Sequence, residues 1–342
     1  MSTAGKHIAL LLPGLGGPAS DHPIGDYLER RPLSLDRLLS RAAMSSLPGS
    51  DLDSVLLRSF GLADTTAIAP LTCLLDTGQS PAGFVMRADP VHLRADQSCV
   101  RLFESHSFNI SQEEASALVA SFNEFYAGDG WHLDAPVADR WYLRFERQPE
   151  ITSPSTWSVA GEDIYGSMPQ GGSAREWHAL LNEVQMLFHG HAVNLERERQ
   201  GRPVINGLWP WGGGVMPGGA SGDYTQVVAQ EPLAIALAHL AGIATSTLPD
   251  EASELVAQAG KGVVLVVCDD LRWPARYNEI EKWRAALDRF EQTLLAGLID
   301  ALAKRQIDSL RLIPCNGQCF TITRRRQRAF WRPVRPYEQV LN

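Results

Sequence analysis

The sequence predicts an α/β fold: a mostly parallel sheet flanked by helices, interrupted by a smaller inserted α+β domain. Three observations carry this. Two unbroken apolar runs, Ile8–Leu12 and Gly262–Val267, have the composition of strands buried on both faces. Helical stretches alternate with strand-like runs towards both ends of the chain. Between them, Trp131–Leu133 and Trp141–Phe145 are short and aromatic, as antiparallel strands are. The expected division is a core made of residues 1–100 and 201–342, with 101–200 inserted.

Each element has its own signal. Pro13–Gly17 follows the first apolar run at once, so that strand empties into a loop at its carboxyl end, where open α/β sheets bind ligands. Leu35, Leu38 and Leu39 give the next segment one apolar helical face. Pro48–Asp51 is a turn into a helix over Leu52–Phe60, with Ser50 or Asp51 as its cap. Arg87–Asp96 gathers two arginines, two aspartates and a histidine, which suits a small-acid site and internal salt bridging equally. Ser111, with Glu113 and Glu114 behind it, starts a helix that runs through Phe122 or Phe125. Residues 149–173 are rich in Pro, Gly and Ser and are expected to form a long loop. Glu176–His191 is an amphipathic helix; His178, His189 and His191 lack the i, i+4 spacing of a helical zinc site. Glu231–Gly242 and Tyr277–Arg305 are further helices, and Ser309–Ile313 and Cys319–Thr323 the last strands.

The stretch Ile205–Pro217 is the pivot. Leu208–Trp211 suits a short buried strand, and Gly212–Gly214 then let the backbone turn where a side chain would block it. The run is either a tight turn packed under Trp209 and Trp211, or a place where backbone N–H groups approach an anion.

Composition narrows the function. The 342 residues are 44% hydrophobic and carry a net charge of −8, which argues against a general nucleic-acid surface. The one basic cluster, Arg324–Arg328, reads as a solvated face or a tail contact, with a phosphate site as the minority reading. Five scattered cysteines suit reduced thiols in a cytoplasm, and the Cys315/Cys319 pair has no second pair to complete a zinc site. No segment approaches the ~20 apolar residues of a membrane span. The expectation is a cytoplasmic protein with neither a membrane nor a nucleic-acid partner.

Leu33–Leu39, Pro48–Asp51, Asp89–Arg94, the run from Asn194, Gly201 and Pro203 through Asn206–Gly214, and the following helix Glu231–Gly242 resemble segments of the archaeal-type, cofactor-independent phosphoglycerate mutases. These belong to the alkaline phosphatase superfamily. Within the group the chain is most similar to the bacterial branch labelled regulatory protein RpfE. The resemblance implies an alkaline phosphatase-like sheet, with Ser50 at the place of the nucleophilic serine. It also implies two divalent metals held by aspartates and histidines at strand ends. Here those positions read Pro13-Gly14, then Cys268-Asp269-Asp270 with no histidine, then Pro314-Cys315-Asn316. Proline has no donor side chain, and a thiolate is a poor ligand for manganese or magnesium.

The function expected from this is a degenerate mutase-like protein that lacks the dinuclear site and needs no cofactor. It would act as a regulatory or small-anion-binding protein. A phosphorylated or carboxylate metabolite would be held by Arg87, Arg94, Asn206, Trp209, Trp211 and Gly212, Gly213 and Gly214. The alternative is a manganese- or magnesium-dependent mutase or phosphatase with Ser50 as nucleophile and a rearranged metal set drawn from Asp21, Asp269 and Asp270. A protein partner, on a cleft closed by Trp209 and Trp211, is the third reading. The long helix over Tyr277–Arg305 could supply a homodimer face.

Overall fold

A strand covered on both faces needs apolar residues throughout, and the runs that open and nearly close the chain supply them. In the computed structural model, which describes residues 5–19, 24–96, 99–145 and 148–341, both are parallel strands of one sheet. The chain divides into two units, one made of Met1–Thr66 with Gly219–Asn342, the other of Ala67–Gly218. In chain order the first unit begins with β1 (Lys6–Leu11), α1 (Leu33–Arg41), β2 (Ala43–Ser46) and α2 (Leu52–Ser59). The second unit holds α3 (Ala69–Thr77), β3 (Val85–Asp96), β4 (Cys99–Glu104), α4 (Gln112–Phe125), β5 (Trp131–Val137), β6 (Arg140–Phe145), α5 (Thr156–Val159), α6 (Ala174–His189), α7 (Ala192–Arg199) and β7 (Gly207–Gly214). The first unit then resumes with β8 (Tyr224–Val228), α8 (Pro232–Leu240), β9 (Ala244–Ser246), α9 (Ala252–Gln258) and β10 (Gly262–Val267). It ends with α10 (Arg272–Arg276), α11 (Ile280–Arg289), α12 (Ala296–Ala303), β11 (Ser309–Ile313), β12 (Gln318–Thr323), α13 (Arg324–Gln327) and α14 (Tyr337–Leu341).

The sheet of the first unit runs β2-β12-β11-β1-β10-β8-β9. β1 pairs parallel with β10 and β11, and β10 with β8; β12 alone runs antiparallel to its neighbours. One face, through Ile8, Leu10, Val264, Val266, Leu310 and Leu312, packs on α1, α9, α11 and α12. Each such fully buried side chain is worth roughly 1.5–3 kcal/mol. Trp283 of α11 sits in this core, and its indole N–H donates to the Gly14 carbonyl at 2.9 Å. A π-helical segment, Phe290–Leu295, joins α11 to α12, so the expected long helix is continuous but not uniform. The α/β, mostly parallel expectation holds.

The second unit is built on a five-stranded antiparallel sheet. β3 pairs with β4, β6 and β7, and β6 with β5. Its own core gathers Trp141, Trp177, Phe122, Phe188 and Leu208. Here the expected boundaries need correction. The limits at 100 and 200 leave β3 and β7 in the core, yet β3 pairs with both β7 and the aromatic strand β6, and the unit spans 67–218. Ser111 forms the expected capping box with Glu114 at the start of α4.

The glycine run also differs from expectation. Gly212–Gly214 continue strand β7 instead of ending it in a turn. Val85 pairs with Gly214 and Arg87 with Trp211, so a bulge falls inside the run, with Gly212 at φ 62°. A Cβ on Gly214 would lie 2.4 Å from the Ala67 Cβ, and one on Gly213 2.6 Å from the Met86 methyl. Packing within this unit explains these glycines.

Candidate functional site

Parallel strands put their carboxyl ends on one edge, and in the first unit the loops after β1, β2, β8, β10 and β11 share it. Gly14, just past β1, has φ 83°, and a Cβ there would meet the Leu271 carbonyl oxygen at 2.5 Å and the Arg272 Cα at 2.9 Å. Glycine therefore lets the loop after β10 cross close to the tip of β1, which is what delivers Arg272 to this edge.

Arg272 meets a carboxylate from another loop. Asp51 caps α2 by accepting from the Ser54 N–H at 2.9 Å, and Asp53, in the first turn, stands 3.7 Å from the Arg272 guanidinium. Both side chains are largely enclosed. Glu231, after β8, caps α8 by accepting from the Ala234 N–H at 2.7 Å. Burial and the nearby Asp53 charge push its carboxyl up to about 7, against the pull of Arg272 and the helix N–H groups. Cys315, after β11, takes φ 61°, a conformation uncommon outside glycine. Burial pushes its thiol up to about 12; Arg272 opposes this, and Asp51 and Asp53 add to it. It is therefore a neutral, poorly nucleophilic thiol.

This set can hold a fixed positive charge and, at Glu231, take up or release a proton near neutral pH. The tips present Pro13, Cys268, Asp269, Asp270, Cys315 and Asn316, and among the described residues no three His, Cys, Asp or Glu side chains stand where one ion could be held. Asp270 is bound to Arg289 at 2.8 Å. Asp21 lies outside the described residues. Ser50 is exposed ahead of α2, and its hydroxyl has no hydrogen bond to a base among the described residues. A cavity of about 440 Å³ opens at the same edge, lined in part by Gln230, Asp250, Asp269, Asp270, Arg289 and Thr293.

The residues expected to hold an anion lie in the second unit, and most are engaged by protein. Arg87 is buried, donates from Nε to Asp89 at 2.8 Å, and lies over the Trp211 and Tyr142 rings. The Trp211 indole donates to the other Asp89 oxygen at 2.6 Å. Burial pushes the Asp89 carboxyl up, while Arg87 and Trp211 pull it back. Asn206 accepts from the Leu93 N–H and donates to the Leu93 carbonyl, which stitches it to β3. The Trp209 indole donates to the Pro154 carbonyl at 2.9 Å. Arg94 is exposed, over the Phe103 ring. Asp53, Glu231 and Arg272 were missed by sequence reasoning. A signal existed for Glu231, an acid between the apolar end of β8 and a Pro-initiated helix, but it reads equally as a plain cap.

No protein-family model matches the chain. It is 24% identical over 238 residues to a probable 2,3-bisphosphoglycerate-independent phosphoglycerate mutase of Geobacter sulfurreducens, covering 63% of this chain and 57% of the relative. It is 23% identical over 178 residues to the 2,3-bisphosphoglycerate-independent phosphoglycerate mutase of Methanosarcina mazei, covering 50% and 43%. The chain thus spans about half the length of the curated relatives it matches. Among solved structures, the PH0037 protein of Pyrococcus horikoshii matches over 94% of this chain and 88% of its own, with a TM-score of 0.51 at 16% identity. The cofactor-independent phosphoglycerate mutase of Thermoplasma acidophilum covers 93% of this chain with a TM-score of 0.40 at 18% identity. The fold is α/β and is shared with the PH0037 protein, and the sequence is distantly similar to 2,3-bisphosphoglycerate-independent phosphoglycerate mutases.

Proposed function

We propose that this chain is a phosphoglycerate mutase-like protein that works without a dinuclear metal centre, as a regulatory protein that binds a small phosphorylated or carboxylate anion. The observation that carries the reading is Arg272, a guanidinium held at the strand tips against Asp53 and near Glu231. With Glu231 protonated, the Arg272–Asp53 pair leaves the site without net negative charge. In that state the set offers an anion one cation and one hydrogen-bond donor. Anion binding then draws a proton onto Glu231, so affinity rises as pH falls through about 7.

Thermal-shift measurements with inorganic phosphate, 2-phosphoglycerate and 3-phosphoglycerate test this. A shift with at least one anion, lost in Arg272→Ala and insensitive to EDTA, is expected. Loss in Arg94→Ala instead would move the site to the exposed arginine of β3. Stoichiometric manganese or magnesium in the purified protein, with mutase or phosphatase turnover abolished by Ser50→Ala, would establish the enzymatic reading and end this one.

A further inference from the structure

Residues 324–335 carry six arginines, Arg324, Arg325, Arg326, Arg328, Arg332 and Arg335, and no acid. None of the six makes a side-chain ion pair among the described residues. Interleaved with them are Phe330, Trp331 and Val334, exposed to 82%, 71% and 42%. The segment is tied down on both sides. The Gln327 carbonyl accepts from Arg41 at 2.8 Å, and its side chain donates to the Ile299 carbonyl at 2.8 Å. Ala329 is buried, the Arg335 N–H donates to Ser40, and the Tyr337 N–H donates to the buried Asp36 at 2.7 Å. A loop anchored in this way holds two large rings in solvent by construction, and such a patch marks an interaction surface.

We infer that Arg324–Arg335 is a docking surface for an anionic lipid bilayer, with the arginines facing lipid headgroups and Phe330, Trp331 and Val334 entering the interface. Charge complementarity sets the partner's sign, because the patch is uniformly cationic in a chain of net charge −8. The acids elsewhere are screened beyond about 10 Å at moderate salt, so they orient the molecule without cancelling the patch. The apolar content sets the partner's class. Aromatic and aliphatic side chains beside arginines suit the headgroup boundary. Phe330 and Trp331 pack on each other edge-to-face, at 79° and 5.5 Å, so they form no parallel platform for successive nucleic-acid bases. No helix among the described residues is long and apolar enough to cross a membrane, so the attachment is peripheral. This departs from the sequence expectation of no membrane partner, which counted spans and overall charge only.

Co-sedimentation with vesicles tests it, using phosphatidylcholine alone and phosphatidylcholine with about a third phosphatidylglycerol. The full chain is expected to bind the anionic vesicles only, and to leave them at roughly 1 M salt. Replacing Arg325, Arg328, Arg332 and Arg335 together by Gln should weaken partition by about a hundredfold or more. Phe330→Ser with Trp331→Ser should also abolish retention. These positions are exposed, so thermal midpoints of both variants should match the parent, which separates lost binding from lost folding. Absence of binding to anionic vesicles, or binding unchanged in both variants, overturns the inference. So does capture of a single-stranded oligonucleotide with neither vesicle bound.

Discussion

Glu231 and Arg272 make the sharpest claims at the level of single residues. The Glu231 carboxyl is raised in the folded chain from an ordinary value of 4.5 to about 7. The folded state therefore holds a proton that the unfolded state has released, and stability falls as pH rises from about 4.5 to about 7. The loss amounts to about 3 kcal/mol if the shift is taken at face value. Glu231→Gln should flatten this slope in denaturant titrations run across that range. Arg272→Ala removes the cation beside Asp53 and is expected to cost about 1–3 kcal/mol at pH 7. None of this convergence was legible in the sequence. Asp53, Glu231 and Arg272 are separated by 178 and 41 positions, and each has an ordinary local explanation as a helix-terminal residue.

Elements were legible where a local rule decides them. β1 and β10 read directly, because burial on both faces demands unbroken apolar runs. α4 read directly, because Ser111 and Glu114 satisfy each other's backbone donors. β2, β8 and β9 did not, being short and partly exposed strands whose place is set by distant partners. The glycine run misled for a related reason. Glycine signals backbone freedom at Gly212 but plain lack of room at Gly213 and Gly214, and the sequence does not distinguish the two. Gly214→Ala should therefore destabilise the protein by about 1–3 kcal/mol through its clash with Ala67, without touching anion affinity. Gly212→Ala should cost about 1 kcal/mol through its positive φ. Unchanged melting in either variant, with anion binding lost, would return the run to the role of a binding loop.

At the scale of the whole molecule, the fold class was legible and the division was not. Counting strands and helices gives the layered α/β type, but the border depends on β3 finding β7 across more than a hundred residues. The second unit, Ala67–Gly218, is contiguous and has its own sheet and aromatic core. Expressed alone, residues 67–218 should melt cooperatively with tryptophan emission typical of a buried indole. A fragment with red-shifted emission and no transition would show that this core is not self-sufficient.

The first unit is interrupted, and that has a consequence for how the protein is made. β1 leaves the ribosome well before its two partners, residues 262–267 and 309–313. Its apolar side chains stay uncovered until those strands have been translated, with the whole inserted unit made in between. Over that interval the nascent chain carries an orphan hydrophobic strand, a natural client for a cotranslational chaperone.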